Sequence, residues 1–448
     1  MTIYSTLYHG ALRPLYDAAR GRPTSRLLRE AKQRQWLSPD QLREFQWKEL
    51  RALLKHAYEF SPWYRARFVE LGMTPDDVRE PADFAGLPPI SREDIVANRE
   101  EMHATNYRGR TYEHRTGGST GKPLGFYINR NSYDWRVAVS RRGYDWAGCE
   151  EGRRHFYVWG APLRRQPLRE RVKTRLNDAA LRREIFSSYK FSEQGMAECV
   201  ERINKFRPST LIGYTNALHV LAQHVIEHGK AIAPLGAVIT AAEGVNAQQR
   251  AAIEKAFRAP IFVSYGSREF MLIAMECEQH AGLHISSDNL YVEVSAGDRL
   301  AAVGDAGELL VTDLHNFGMP LIRYRIGDIG VQKAGFCPCG RGLPLLDRVE
   351  GRVLDMIRTP DGRVVPGEFF ARLFREFDAV KQFQIIQERL DTVVIKVVLR
   401  TGCRADELPR LDLETQKVLG ASITVNVEFV PEIPLTASGK FRVSVSKL

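Results

Sequence analysis

The stretch Thr116-Gly117-Gly118-Ser119-Thr120-Gly121-Lys122-Pro123 gathers glycines, hydroxyls and a lysine into one loop. Glycine lets successive backbone N–H groups turn toward a single point, and such a nest binds anions. Ser119 and Thr120 add hydroxyl donors, and Lys122 adds a positive charge. Those groups suit phosphate oxygens, so the loop reads as a cradle for the phosphates of ATP. It is not a Walker-type loop, because Thr116 stands where the first glycine belongs and Pro123 replaces the hydroxyl residue that ligates Mg2+. The competing reading is a plain surface turn, so the assignment depends on partners elsewhere.

Such partners lie downstream. Tyr265-Gly266-Ser267-Arg268-Glu269 ends a strand-like run in a carboxylate. Mg2+ favours one or two carboxylates together with phosphate oxygens, and Tyr265 offers an aromatic face for a base. Ala241-Ala242-Glu243-Gly244 places another carboxylate at a strand-to-helix corner, where capping the helix is an equally good explanation. Tyr324-Arg325-Ile326-Gly327-Asp328 follows, then Glu350-Gly351-Arg352 through Asp355, and finally Pro434-Leu435-Thr436-Ala437-Ser438-Gly439-Lys440 near the C-terminus.

In this order the series resembles the adenylate-forming superfamily of acyl-CoA synthetases, peptide-synthetase adenylation domains and luciferases. Within it, the chain is most similar to the phenylacetate-CoA ligase-like branch that includes capsular-polysaccharide adenylating proteins. The resemblance implies that a carboxylic acid is activated by ATP and Mg2+ to an acyl-adenylate, then captured by coenzyme A. It also implies roles: Thr116 to Lys122, Ala242, Glu243, Gly244, Tyr265, Gly266 and Ser267 around the nucleotide, Glu269 on Mg2+, and Asp328 on the ribose assisted by Arg352. Asp355 matches the hinge about which a C-terminal domain swings, and Lys440 the catalytic lysine, whose ammonium can neutralise charge as pyrophosphate leaves. Arg268 replaces the commoner Thr of its motif. The hairpin-like 358–366 stretch is closer to the polysaccharide-type relatives, which keeps open transfer to an amine or a carrier instead of coenzyme A. A silent nucleotide-binding scaffold is the non-enzyme alternative, and Lys440, Glu269 and Asp328 argue against it.

Cys337-Pro338-Cys339-Gly340-Arg341 sets two thiols one residue apart, which can share a zinc only with ligands from elsewhere. Cys277 with His284 or His280 would complete a Cys3His site, and the expected quartet is Cys277, His284, Cys337 and Cys339. With no open position it would be structural. Reduced, buried thiols are the alternative.

These groups need a scaffold. Helical spacing of apolar residues runs over 12–71, with Ser38 and Ser91 as helix starts. Strand-like runs at 155–160, 237–240 and 260–265, with the segment 206–214 leading into a helix, alternate with helical stretches, predicting a layered α/β domain with sites at strand ends. The acyl pocket is then expected from Val158 to Gly160, Gly213-Tyr214 and Ala241 to Glu243. From Leu290 strands and turns dominate. The expected division is 1–351, an N-terminal domain with a β-rich subdomain at about 285–350, and 352–448, a small mobile α+β domain carrying Lys440.

At 448 residues, 44% hydrophobic and 26% charged, the chain is long enough for more than one core. No apolar run is long enough for a membrane helix, no signal peptide is evident, and six cysteines fit a reducing cytoplasm. The net charge of +10 is densest between Arg164 and Arg183, a solvated helix face or an attractor of polyanions. No aromatic interleaving supports nucleic acid. A homodimer is kept among the expected partners.

Overall fold

The computed structural model describes residues 3–115, 124–159, 168–242, 244–245, 247–297, 299–350, 356–366, 370, 373–374, 377, 379–400, 402–405, 411–433, 444–446 and 448. The chain forms two compact units, each discontinuous in sequence. The first comprises Met1–Thr116, Leu124–Glu151 and Phe262–Gly351, and the second includes Gly152–Ile261 and Arg352–Leu448.

In the first unit, helices come early and an antiparallel sheet late. Helix Pro39–Phe60 begins at a full capping box, Ser38 accepting from Gln41 N–H while the Gln41 side chain accepts from Ser38 N–H. Its buried face carries Leu42, Leu50, Leu53, Leu54 and Ala57, the helical spacing legible in the sequence. Helix Arg92–Met102 starts at Ser91 in the same way, with Asp94 as its reciprocal partner. The sheet runs, in spatial order, Arg299–Leu300, Leu290–Ala296, Ala306–Asp313, Tyr324–Gln332, Leu345–Glu350, Leu283–Ile285, Met271–Glu276 and Ile261–Ser267, all neighbours antiparallel. Helix Arg130–Trp146 is tied to this unit by two buried ion pairs, Arg136 to Asp313 and Arg142 to Asp288, each 2.6 Å. Losing one partner of such a pair leaves a buried charge uncompensated, at a cost of about 3–5 kcal/mol.

Strand Thr111–Arg115 pairs antiparallel with Gly125–Asn129, closing at Arg115 opposite Gly125. In sequence, the glycine- and hydroxyl-rich stretch 116–123 falls between these two paired strands. Leu124, Phe126 and Ile128 are fully or almost fully buried, so the strand pair is anchored in the core of the first unit.

The second unit holds a parallel sheet in the order Ala237–Ala241, Thr210–Tyr214, His155–Trp159 and Arg183–Ser187. Helices Leu168–Ala180, Glu193–Phe206 and Thr215–Glu227 make the crossovers. Strands Thr210–Tyr214 and Ala237–Ala241 are buried at every position, as expected where helices cover both faces. The basic helix Leu168–Ala180 lies on the surface, with residues 169–177 all exposed. The C-terminal part of the unit has a four-stranded sheet in the order Thr424–Phe429, Thr392–Leu399, Val380–Arg389 and Ser444–Ser446, with its own core around Phe370, Phe374, Phe383, Ile395 and Leu419.

Candidate functional site

Strand Ile261–Ser267 turns through Arg268, Glu269 and Phe270 into Met271–Glu276. Gly266 is required at the start of this turn, since a Cβ there would lie 2.0 Å from the Met271 carbonyl oxygen. The Ser267 hydroxyl accepts from Phe270 N–H at 3.3 Å. Ser267, expected beside the nucleotide, thus also shapes the turn that carries Glu269. Met271 has φ of 59°, a left-handed conformation that costs a side-chain-bearing residue on the order of 1 kcal/mol or more. The turn buries Glu269 to 8% exposure while Arg268 stays exposed. Gly266→Ala is expected to destabilise the chain by about 2–3 kcal/mol, read from urea unfolding.

A side-chain bond joins the turn strand to the Tyr-Arg-Ile-Gly-Asp strand. The Tyr265 hydroxyl donates to Asp328 Oδ2 at 2.8 Å. Both side chains are half-buried, so a carboxylate and an aromatic ring stand side by side at an accessible place. A ribose with its base is a fitting ligand for that pair: a carboxylate accepts from vicinal hydroxyls and the ring suits a flat heterocycle.

In the second unit, the strand order places a topological switch point between His155–Trp159 and Thr210–Tyr214. The first crossover runs to one side of His155–Trp159 and the next strand returns to its other side. Ligands of open α/β sheets bind at the carboxyl ends of strands at such points. Trp159 and Tyr214 are the last residues of these two strands, and their rings lie 4.3 Å apart at 32°. Gly213 permits the approach, because a Cβ there would sit 2.9 Å from the Val158 carbonyl oxygen. On the neighbouring strand end, Ala242 has φ of 70°, a strained backbone of the kind that collects at binding sites. Gly244 follows it as an exposed residue.

The cysteine quartet converges in the first unit. Cys277 follows strand Met271–Glu276, His284 lies in Leu283–Ile285, and Cys337 and Cys339 sit in the turn before Leu345–Glu350. Their Sγ and nitrogen donor atoms all lie within 4.8 Å of one another. Cys277 Sγ is 3.5 Å from Cys337 Sγ, and Cys339 Sγ is 3.4 Å from His284 Nε2. Zn–S and Zn–N bonds of about 2.3 and 2.0–2.1 Å imply tetrahedral edges of roughly 3.8 Å between sulfurs and about 3.6 Å between sulfur and nitrogen, so the four donors can hold a tetrahedral ion.

The surroundings suit that role. His284 Nδ1 stands 3.3 Å from the Leu343 carbonyl, which fixes the tautomer that presents Nε2 to the sulfurs. Burial, with Arg341 and Arg142 nearby, pushes His284 down to about 4, so its imidazole is neutral at pH 7. Backbone N–H groups of Gln279 and Arg341 donate to Cys277 and Cys339 sulfurs. Burial raises the Cys339 thiol, but the Arg341 backbone N–H and guanidinium outweigh it and leave Cys339 below the ordinary thiol value. Burial raises Cys277, so an incoming ion would have to displace its proton. His280, the alternative ligand, turns elsewhere: it stacks near Phe262 and its Nδ1 is 3.3 Å from Glu276.

Thr116 through Lys122, Glu243, Arg352, Asp355 and Lys440 lie outside the described residues. Among the described residues, no helix is long and apolar enough to cross a membrane.

Residues 357–447 match the family model of the CapK C-terminal domain. Protein CapK of Staphylococcus aureus is 26% identical over 376 residues, covering 82% of this chain and 81% of that protein. The phenylacetate-coenzyme A ligase of Pseudomonas putida is 27% identical over 428 residues, covering 92% and 93%. A solved structure of 2-hydroxyisobutyryl-CoA ligase, in complex with 2-HIB-AMP and CoA, superposes with a TM-score of 0.59 at 21% identity, over 92% of this chain and 91% of that one.

Proposed function

We propose that this chain, a relative of CapK and of the phenylacetate-coenzyme A ligases with the adenylate-forming ligase fold, activates a carboxylic acid with ATP and passes the acyl group to coenzyme A. The observation that carries the reading is the Tyr265–Asp328 bond. Two motifs that are 63 positions apart in sequence meet as a ring and a carboxylate with the chemistry a nucleoside needs.

In the first half-reaction a carboxylate oxygen of the acid attacks the α-phosphorus of ATP, and the bond to pyrophosphate breaks. Thr116 to Lys122 hold the phosphates, Ala242, Glu243 and Gly244 border the nucleotide, and Asp328 with Arg352 holds the ribose. Mg2+ would be held by Glu269 with phosphate oxygens, offsetting phosphate charge; one buried carboxylate is what that ion takes from a protein beside a polyphosphate. Lys440 brings a point charge to the phosphorus as charge develops. Trp159 and Tyr214 line the acid's pocket, a surface that accommodates a flat aryl acid. The C-terminal domain, 352–448, then turns about Asp355, and the coenzyme A sulfur attacks the acyl carbon and expels AMP. The Cys277, His284, Cys337 and Cys339 quartet holds a structural zinc with no open position.

Asp328→Ala is the sharpest test of the nucleotide pocket. Hydrogen bonds to a charged group contribute about 1.5–3 kcal/mol, so KM for ATP should rise roughly 10- to 100-fold, with KM for the acid changed little. Equal rises in both would remove Asp328 from the ribose.

A second reading is acyl transfer to an amine, the acceptor kept open by the likeness of the 358–366 stretch to polysaccharide-type relatives, a branch with which the CapK C-terminal match over 357–447 agrees. The readings differ in the second half-reaction alone and separate on product, thioester or amide.

A further inference from the structure

The second unit carries another set of metal-ligating side chains, unrelated to the cysteine quartet. Helix Thr215–Glu227 presents His224 near its end, and His228 is its C-cap residue. One turn apart, the two rings lie 4.3 Å from each other. Glu193, the first residue of helix Glu193–Phe206, faces both: its Oε2 is 3.3 Å from His224 Nδ1 and 3.5 Å from His228 Nε2. All three donor atoms fall within 4.8 Å of one another.

Three details go beyond a chance surface ion pair. His224 is only 3% exposed, yet neither of its ring nitrogens makes a hydrogen bond within the described residues. His228 Nδ1 stands 3.0 Å from the His224 carbonyl, which sets its proton on Nδ1 and points the Nε2 lone pair at Glu193, the arrangement that orients histidine ligands in metal sites. The place of Glu193 is also fixed, because Ser192 caps its helix and Gly195 approaches Lys190 so closely that a Cβ would lie 1.7 Å from the carbonyl oxygen. Tetrahedral Zn–N and Zn–O bonds of about 2.0–2.1 Å imply nitrogen-to-oxygen edges of about 3.3–3.4 Å, close to the two distances present.

We infer that Glu193, His224 and His228 form a second site for a divalent transition-metal ion, fastening the start of one helix to the end of the next. Two imidazoles and one carboxylate select zinc, nickel or copper over magnesium or calcium. With three protein donors, the fourth position is left to solvent or an added ligand.

The test uses the full chain without an affinity tag, dialysed against micromolar zinc and counted for bound metal, with zinc titration calorimetry alongside. Wild type should hold one zinc at this site beyond any held by the cysteines. His228→Ala and Glu193→Gln, both at exposed positions, should each weaken that binding step at least 10-fold while the metal-free melting temperature stays unchanged. Cys337→Ser should leave the step intact, so an empty cysteine site lowers the total count without removing this event. Absence of the event in wild type, or its persistence undiminished in both variants, would overturn the inference.

Discussion

Replacing Lys440 with alanine is expected to reduce acyl-adenylate formation by roughly 10²- to 10³-fold, the usual consequence of removing one group that stabilises developing charge. The proposed place of the ammonium is where the α-phosphorus is attacked and pyrophosphate departs. The second half-reaction involves no pyrophosphate. The same variant given a prepared acyl-adenylate and coenzyme A should therefore form thioester within a few-fold of wild type. Lysine is a compact point charge on a flexible stem, so Lys440→Arg should restore little of the lost rate. Single-turnover measurement of each half-reaction, with the melting temperature as control, checks the split. Equal losses in both halves would make Lys440 a general structural residue.

Cys337→Ser is expected to lower the melting temperature by about 10 °C and to abolish the binding of one zinc per chain. The quartet joins the end of one strand, the middle of another and an intervening turn of the first unit, and structural zinc contributes folding free energy directly. Several kcal/mol spread over a unit of this size corresponds to a shift of that order. The loop bearing Cys337 and Cys339 is closely fitted: a Cβ on Gly342 would lie 1.9 Å from the Leu37 carbonyl oxygen, and Arg341 pairs with Glu278 at 2.9 Å. A slipped loop would take those contacts with it. Wild type treated with a strong chelator should melt like the variant. If the chelator changes nothing and the variant loses less than about 1 kcal/mol, the thiols are merely buried.

Elements whose physics is local were legible in the sequence. Ser38 and Ser91 declared helix starts because capping depends on neighbours three residues away. The buried strands of the second unit stood out because parallel strands are apolar on both faces. Strand Thr111–Arg115 escaped notice because its residues are polar and largely exposed; pairing with the anchored Gly125–Asn129 strand holds it, and no local pattern marks that. Spacing alone left His280 and His284 as rival ligands. The structure separates them because His284 sits in a buried strand while His280, at φ 48°, is turned toward Phe262 and Glu276. Ser267 shows the reverse difficulty: a hydroxyl in a nucleotide motif is equally a turn former, and here it closes the turn. The Glu193, His224 and His228 group passed unseen although a His-x3-His spacing marks two of its members, because nothing local ties Glu193 to them.

Acid-dependent exchange of labelled pyrophosphate into ATP tests carboxylate adenylation most directly. The full chain is incubated with ATP, Mg2+ and a panel of aryl and aliphatic carboxylic acids, and coenzyme A is then added. Label should enter ATP only when a suitable acid is present, and acyl-CoA with AMP should accumulate once the thiol arrives. Exchange without acyl-CoA would move the acceptor to an amine or a carrier. Labelling that ignores the acid, or its absence with every acid while ATP still binds, would contradict carboxylate adenylation itself.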